Sequence, residues 1–151
     1  TQSRSSAASD VYKRQQFWRL NLKPGKPLAF GRIDNCWIFG LPGNPVSTII
    51  TALLLARPAI AFLAGVNLEK PLTLSAVLAT PIQHSPGRTE FQRGQFHQDE
   101  TGFKVSHTGE QGSNRFSSFR YANCLIEIDK EQGNLQMGDV VNILPLVNLL
   151  H

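Results

Sequence analysis

The segment Leu41-Pro-Gly-Asn-Pro45 constrains the fold of this chain more than any other. Two prolines without a backbone N–H and one glycine within five residues break any regular element. On its carboxy-terminal side the chain has the features of a helix start. Asn44 is a favoured N-cap and Pro45 a favoured first helical residue. Val46, Ile49, Ile50, Leu53 and Leu54 then recur at helical spacing. On its amino-terminal side the chain has the features of strands. Residues 28–33 and 36–41 flank Asp34-Asn35, a suitable hairpin connection. The expected order is therefore strand, hairpin, strand, loop, helix. Pro58 should kink or interrupt that helix, and Gly65 should end it.

A second change of character falls at 66–71. Beyond Pro71 the chain reads as short strands, at 72–79, 89–98, 103–107, 123–129 and 140–144, separated by Gly, Pro and Asn. Strands of this length and spacing predict a small β-barrel or sandwich. Upstream, residues 17–22 alternate like a strand, and Lys23-Pro-Gly-Lys-Pro27 turns the chain, with Gly25 able to accept a positive φ. Residues 1–16 are polar and without hydrophobic period, too poor in apolar surface to offset their ordering entropy. The string Ser-Asp-Val-Tyr-Lys-Arg-Gln ending at Gln15 resembles translated adapter sequence, so 1–16 is set aside as a non-native or disordered leader and the natural chain is expected to begin upstream. The expected divisions are 1–16, 17–69 and 70–151.

Composition narrows the function classes. Of the net charge of +4, half lies in the first sixteen residues, where Arg4, Lys13 and Arg14 face Asp10. The mild excess that remains suits an anionic small molecule and falls short of a nucleic-acid stripe. Cys36 and Cys124 stand far apart without a CxxC, which suggests a reducing compartment, although a single bridge stays open. The longest apolar run, 46–66, contains Ser47, Thr48, Thr51, Arg57 and Pro58, poor material for a membrane span. The amino terminus has no apolar stretch of signal type. The expected location is the cytoplasm, with neither membrane nor nucleic acid as partner. His84, His97, His107 and His151 show no metal-ligand spacing and are expected to pack or face solvent.

Four segments have residue types suited to an oxyanion. The loop from Gly40 to Ser47 would present unpaired backbone N–H groups at a helix start, with the Ser47 hydroxyl one turn in. Read alone, it is equally an ordinary strand-to-helix turn. Lys23 and Lys26 flank a tight turn and can converge on one anion, or can simply be a solvated basic turn. Arg88 and Arg93 bracket a short strand at odd spacing, which puts them on opposite faces, so at most one should point at a given site. For either alone a surface role is the plainer reading. Residues 109–114 form a donor-rich loop or a long turn.

Taken in order, these segments resemble one family. Lys23-Pro-Gly-Lys-Pro27, Ala29-Phe-Gly31, Phe39-Gly-Leu-Pro-Gly-Asn-Pro-Val-Ser47, Pro86-Gly-Arg88 with Phe91-Gln-Arg-Gly94, and Thr108-Gly109 with Gln111-Gly-Ser113, Phe116 and Ser118 succeed one another as in molybdopterin molybdenumtransferases, the family that includes the carboxy-terminal part of gephyrin. The resemblance implies an α/β portion, the last strands and helix of a molybdopterin-binding three-layer domain, followed by a small all-β barrel. It implies a transferase that inserts molybdate into adenylylated molybdopterin with release of AMP. Carried over by position, Lys23, Lys26 and Arg93 would be catalytic. With Pro27, Gly43, Asn44, Ser47 and Ser113 they would line the molybdate and phosphate pocket, near the junction of the two portions.

The resemblance further implies a homodimer and Mg2+, whose acidic ligands have no counterpart here. The family's amino-terminal domains are also missing, so the chain is expected to be a carboxy-terminal part, inactive by itself. The alternative is a scaffold or binding module of the gephyrin type. Against it stands the set of anion-binding residues, which a pure scaffold does not need. A nucleic-acid-binding barrel is disfavoured by net charge and by the lack of interleaved basic and aromatic residues on one strand.

Overall fold

In the computed structural model, residues 15–18, 21–25, 28–109, 111–112 and 116–150 are described. Strand β1 (Gln15–Trp18) pairs antiparallel with β3 (Leu28–Ile33), which pairs with β4 (Cys36–Gly40) through the turn at Asp34-Asn35. The pairing thus begins at Gln15, two residues inside the segment that composition assigns to the leader. Leu22–Lys23 does not extend β1. It forms a separate short strand, β2, in another sheet. The order β1-β3-β4 is antiparallel throughout. The three-layer α/β arrangement that the resemblance implies is therefore not seen in this sheet among the described residues.

Helix α1 (Pro45–Thr51) begins where the Pro/Gly loop predicts, with Asn44 extended at the N-cap position. The side chain of Asn44 makes no capping bond; its backbone carbonyl accepts from Thr48 N, the first helical bond, and from Thr48 Oγ1, both at 2.8 Å. Pro58 does not interrupt the helix. A π-turn over Ala52–Ala56 precedes it, after which α2 (Arg57–Leu63) continues. A proline ring collides with the carbonyl four residues back and offers no N–H to it. The wider turn, in which Arg57 N reaches Ala52 O, is the local rearrangement that accommodates it. By length and composition alone the helix from Pro45 to Leu63 could cross a bilayer. Val46 and Ile50 of its first half are fully buried against the barrel, whereas Ile60, Phe62 and Leu63 of its second half are exposed.

Strands β5 (Leu74–Leu78), β6 (Thr89–Asp99), β7 (Gly102–His107), β8 (Cys124–Ile128) and β9 (Val140–Pro145) form the barrel predicted from strand spacing. The hydrogen-bonded order β6-β7-β5-β9-β8 returns to β6, closing a ring of five strands, with β2 added alongside β6. Closure depends on β6, whose first half pairs with β8 and second half with β7. Gly94 is the hinge, opposite both Cys124 and His107. A Cβ there would lie 2.7 Å from Ile126 Cγ1, so the corner has room only for glycine.

Two cores result. One fills the barrel with Ala76, Leu78, Val105, Ile126, Ile128 and Ile143 among others. The other joins Val46 and Ile50 of α1 to Phe91, Leu125, Leu144 and Leu149 on the outer face of the barrel and on the closing helix α3 (Leu146–Leu150). This second core fixes α1, and the loop before it, against the start of β6.

Candidate functional site

The site is built where β2 meets β6. Their parallel register sets Leu22 beside Thr89 and Lys23 beside Glu90. Lys23 Nζ consequently donates to Glu90 Oε2 at 3.0 Å. The same oxygen accepts from His84 Nδ1 at 2.8 Å, and Glu90 Oε1 accepts from Gln92 Nε2 at 3.1 Å. Since a carboxylate only accepts, Nδ1 of His84 carries the hydrogen. Glu90 and His84 side chains are almost wholly buried, at 4% and 1% exposure, whereas Lys23 is 49% exposed. Burial pushes the Glu90 carboxyl up. The hydrogen bonds from His84, Lys23 and Gln92 and the Lys23 charge outweigh it, leaving the group below its ordinary range. The backbone N–H of His84 donates to Asn134 Oδ1 at 3.0 Å, tying the cluster to the loop before β9.

Turn residue Gly25 lies just beyond Lys23 with φ +149°, and a Cβ on it would come within 3.3 Å of Thr51 Oγ1. The turn thus packs closely over α1. A cavity of about 960 Å³ opens between this turn, α1, the first half of β6 and the loop at 109–112. Lys23, Ser47, Arg88, Glu90, Gln92 and Gln111 are among the residues that line it. Glu90 and Gln92 reach it together because alternate residues of a strand share one face, and Arg88 joins them from the bend immediately before β6. A smaller cavity, about 390 Å³, is lined by Asn21, Lys23, His84 and residues 85–88. Lys23 and Arg88 belong to both cavities.

Of the residues expected at an oxyanion pocket, Lys23 and Ser47 share the larger cavity. Gly43 is exposed and Asn44 half-buried, and neither is among the lining residues. Lys26, Pro27 and Ser113 lie outside the described residues.

Arg93 departs from expectation. It neither lines the cavity nor faces solvent; it is fully buried. Nε donates to Ser118 Oγ at 2.8 Å, one terminal nitrogen to Gln111 O at 3.2 Å and the other to Gly112 O at 3.3 Å. The guanidinium also lies 5.9 Å from the Phe119 ring centre. Gln111 answers with its side chain, accepting from Arg93 N and donating to Arg93 O. Arg93 therefore holds the loop that helps wall the cavity. The arginine that lines the cavity is Arg88, in the bend before β6.

Sequence reasoning did not single out Glu90 or Gln92, nor pair His84 with Glu90, and took Gln111 only as part of a donor-rich loop. Period-two alternation from Arg88 would have found Glu90 and Gln92. Nothing local marks His84 as a partner of Glu90.

Magnesium, which the resemblance implies, does not fit the donors present. Among the described residues no three His, Cys, Asp or Glu side chains converge. Glu90, the carboxylate at the cavity, is already engaged by three donors.

A closed five-strand barrel with a cavity lined by Lys23, Arg88 and Glu90 at its junction with a preceding helix defines a class of domain, and comparison with known proteins identifies the class. Residues 75–146 match the MoeA C-terminal region (domain IV), and this part of the chain belongs to that family. It is 43% identical over 136 residues to the molybdopterin molybdenumtransferase of Haemophilus influenzae, covering 89% of this chain and 34% of that protein. Identity to gephyrin of Dictyostelium discoideum is 35% over 152 residues, covering 85% of this chain and 21% of that one. A crystal structure of the molybdopterin biosynthesis moeA protein from Pyrococcus horikoshii OT3 superposes with a TM-score of 0.69 at 26% identity, over 87% of this chain and 32% of that one. The chain spans about a third or less of the length of these relatives.

Proposed function

We propose that this chain serves molybdenum cofactor biosynthesis as the oxyanion-holding portion of a molybdopterin molybdenumtransferase, which inserts molybdate into adenylylated molybdopterin and releases AMP. One observation carries the reading: Lys23 of β2 and Arg88, just before β6, line one cavity together with Ser47 and Gln92. Molybdate is a tetrahedral dianion, so its capture needs positive charge and several donors. Each charge-assisted hydrogen bond contributes about 1.5–3 kcal/mol net of lost hydration, so several together can hold such an ion. In this reading Lys23 and Arg88 attract the oxyanion while Ser47 and Gln92 orient it, with Lys26 and Ser113 added by resemblance. The complete enzyme is read as a cytoplasmic homodimer whose remaining substrate contacts lie in the segments that its relatives have beyond the matched region.

Titration calorimetry with molybdate tests this. Saturable binding, weakened about tenfold or more by Lys23→Ala and by Arg88→Ala, is expected. Absence of binding to the unaltered chain, or an affinity left unchanged by both substitutions, would remove the pocket. A scaffold of the gephyrin type has no need of these two cations and predicts the first of those outcomes.

A further inference from the structure

We infer that Glu90 is the positioning residue for Lys23: its buried carboxylate, fixed from behind by His84 and Gln92, holds the lysine ammonium at the wall that the two cavities share. The inference rests on reading Lys23 as an oxyanion ligand, and it assigns a role to an acidic group in a site whose charge balance alone calls for none.

A lysine side chain is a point charge on a flexible four-carbon stem, with about 2 kcal/mol of rotamer entropy when free. Lys23 is half exposed and could sweep through solvent. The 3.0 Å bond to Glu90 removes that freedom while using one of three ammonium hydrogens, so two remain for a ligand. Glu90 itself cannot drift. His84 Nδ1 and Gln92 Nε2 donate to its two oxygens, and His84 is in turn tied to Asn134. The carboxylate is thus a rigid post on the barrel to which the turn from the preceding portion is attached.

Charge alone makes the opposite prediction. If Glu90 were only a negative group near the pocket, neutralising it would strengthen anion binding. The two effects differ in sign, and the isosteric Glu90→Gln variant separates them. We expect Glu90→Gln to weaken molybdate binding by about tenfold and Glu90→Asp, which keeps the charge, to restore most of it. Unchanged or tighter binding in Glu90→Gln overturns the inference.

A second measurement needs no ligand. Nitrogen-15 relaxation of the Lys23 ammonium group in the unaltered chain should show it more ordered than those of the exposed Lys70 and Lys130, with the difference lost in Glu90→Gln. A Lys23 ammonium as mobile as the other two overturns the inference whether or not either variant folds. Should the unaltered chain bind no molybdate while Lys23 remains ordered, the oxyanion reading fails and the tether stands.

Discussion

Arg93 and Glu90 are neighbours on β6, separated by two residues, and both keep a charge in a buried place by different means. Burial pulls the Arg93 guanidinium down and the nearby Glu90 charge opposes this, while neutral acceptors on Ser118, Gln111 and Gly112 take its hydrogens. Arg93→Ala would leave several acceptors unpaired, each costing about 1–3 kcal/mol. A loss of about 3 kcal/mol in urea unfolding is expected, only partly recovered by Arg93→Lys, because one ammonium cannot reproduce the guanidinium fork.

Glu90 links stability to pH. Its carboxyl lies below the ordinary value of 4.5 in the folded state, so its contribution is complete above that value. It is lost as pH falls through the folded value beneath. Unfolding midpoints measured from neutral pH down to about 3 should fall less steeply for Glu90→Gln than for the unaltered chain. Asp99, held low by Lys104 and Thr101, supplies a slope of the same sign in both.

Among the elements, β6 does the most. It pairs with three strands and turns the sheet back on itself at Gly94. Gly94→Ala forces a methyl within 3.0 Å of Ile126 Cγ1 and Cδ1 and of Cys124 Sγ. Neither side chain can retreat, since both are fully buried. A cost of about 1–3 kcal/mol in thermal or denaturant unfolding is expected, in the range for overpacking. The helix shows the converse. A rule broken locally, proline within an apolar helical run, is absorbed by one π-turn, after which helical hydrogen bonding resumes. Element positions were legible from period and punctuation because both act over a few residues. The hairpin at Asp34-Asn35, the helix start at Pro45 and five barrel strands lie within two or three residues of their expected bounds. The separate fate of Leu22–Lys23 was not legible, since a two-residue strand has no period and its partner lies 67 residues away.

At the scale of the molecule, the two cores make the helix and barrel one packing unit. Ile50 has no exposed surface and belongs to the core that α1 shares with Phe91, Leu125, Leu144 and Leu149. Ile50→Ala should therefore cost about 2–5 kcal/mol, and, because α1 carries Ser47 and packs beneath the Lys23 turn, it should also weaken molybdate binding. A variant that loses stability but keeps full affinity would show that the pocket does not depend on this packing.

Local chemistry determined, from the sequence by itself, where the chain turns, which stretches are helix or strand, and that groups suited to an oxyanion recur in four ordered segments. Tertiary structure decided which of them meet. Arg88 and Arg93 are equally charged in the sequence, but the closed barrel sets one, in the bend before β6, at the cavity and buries the other against carbonyls 18 and 19 residues on. The reason is that side-chain direction in a strand depends on which face the closed sheet turns inward. Acceptors that make burial of a charge tolerable come from distant loops, which no short window of sequence contains.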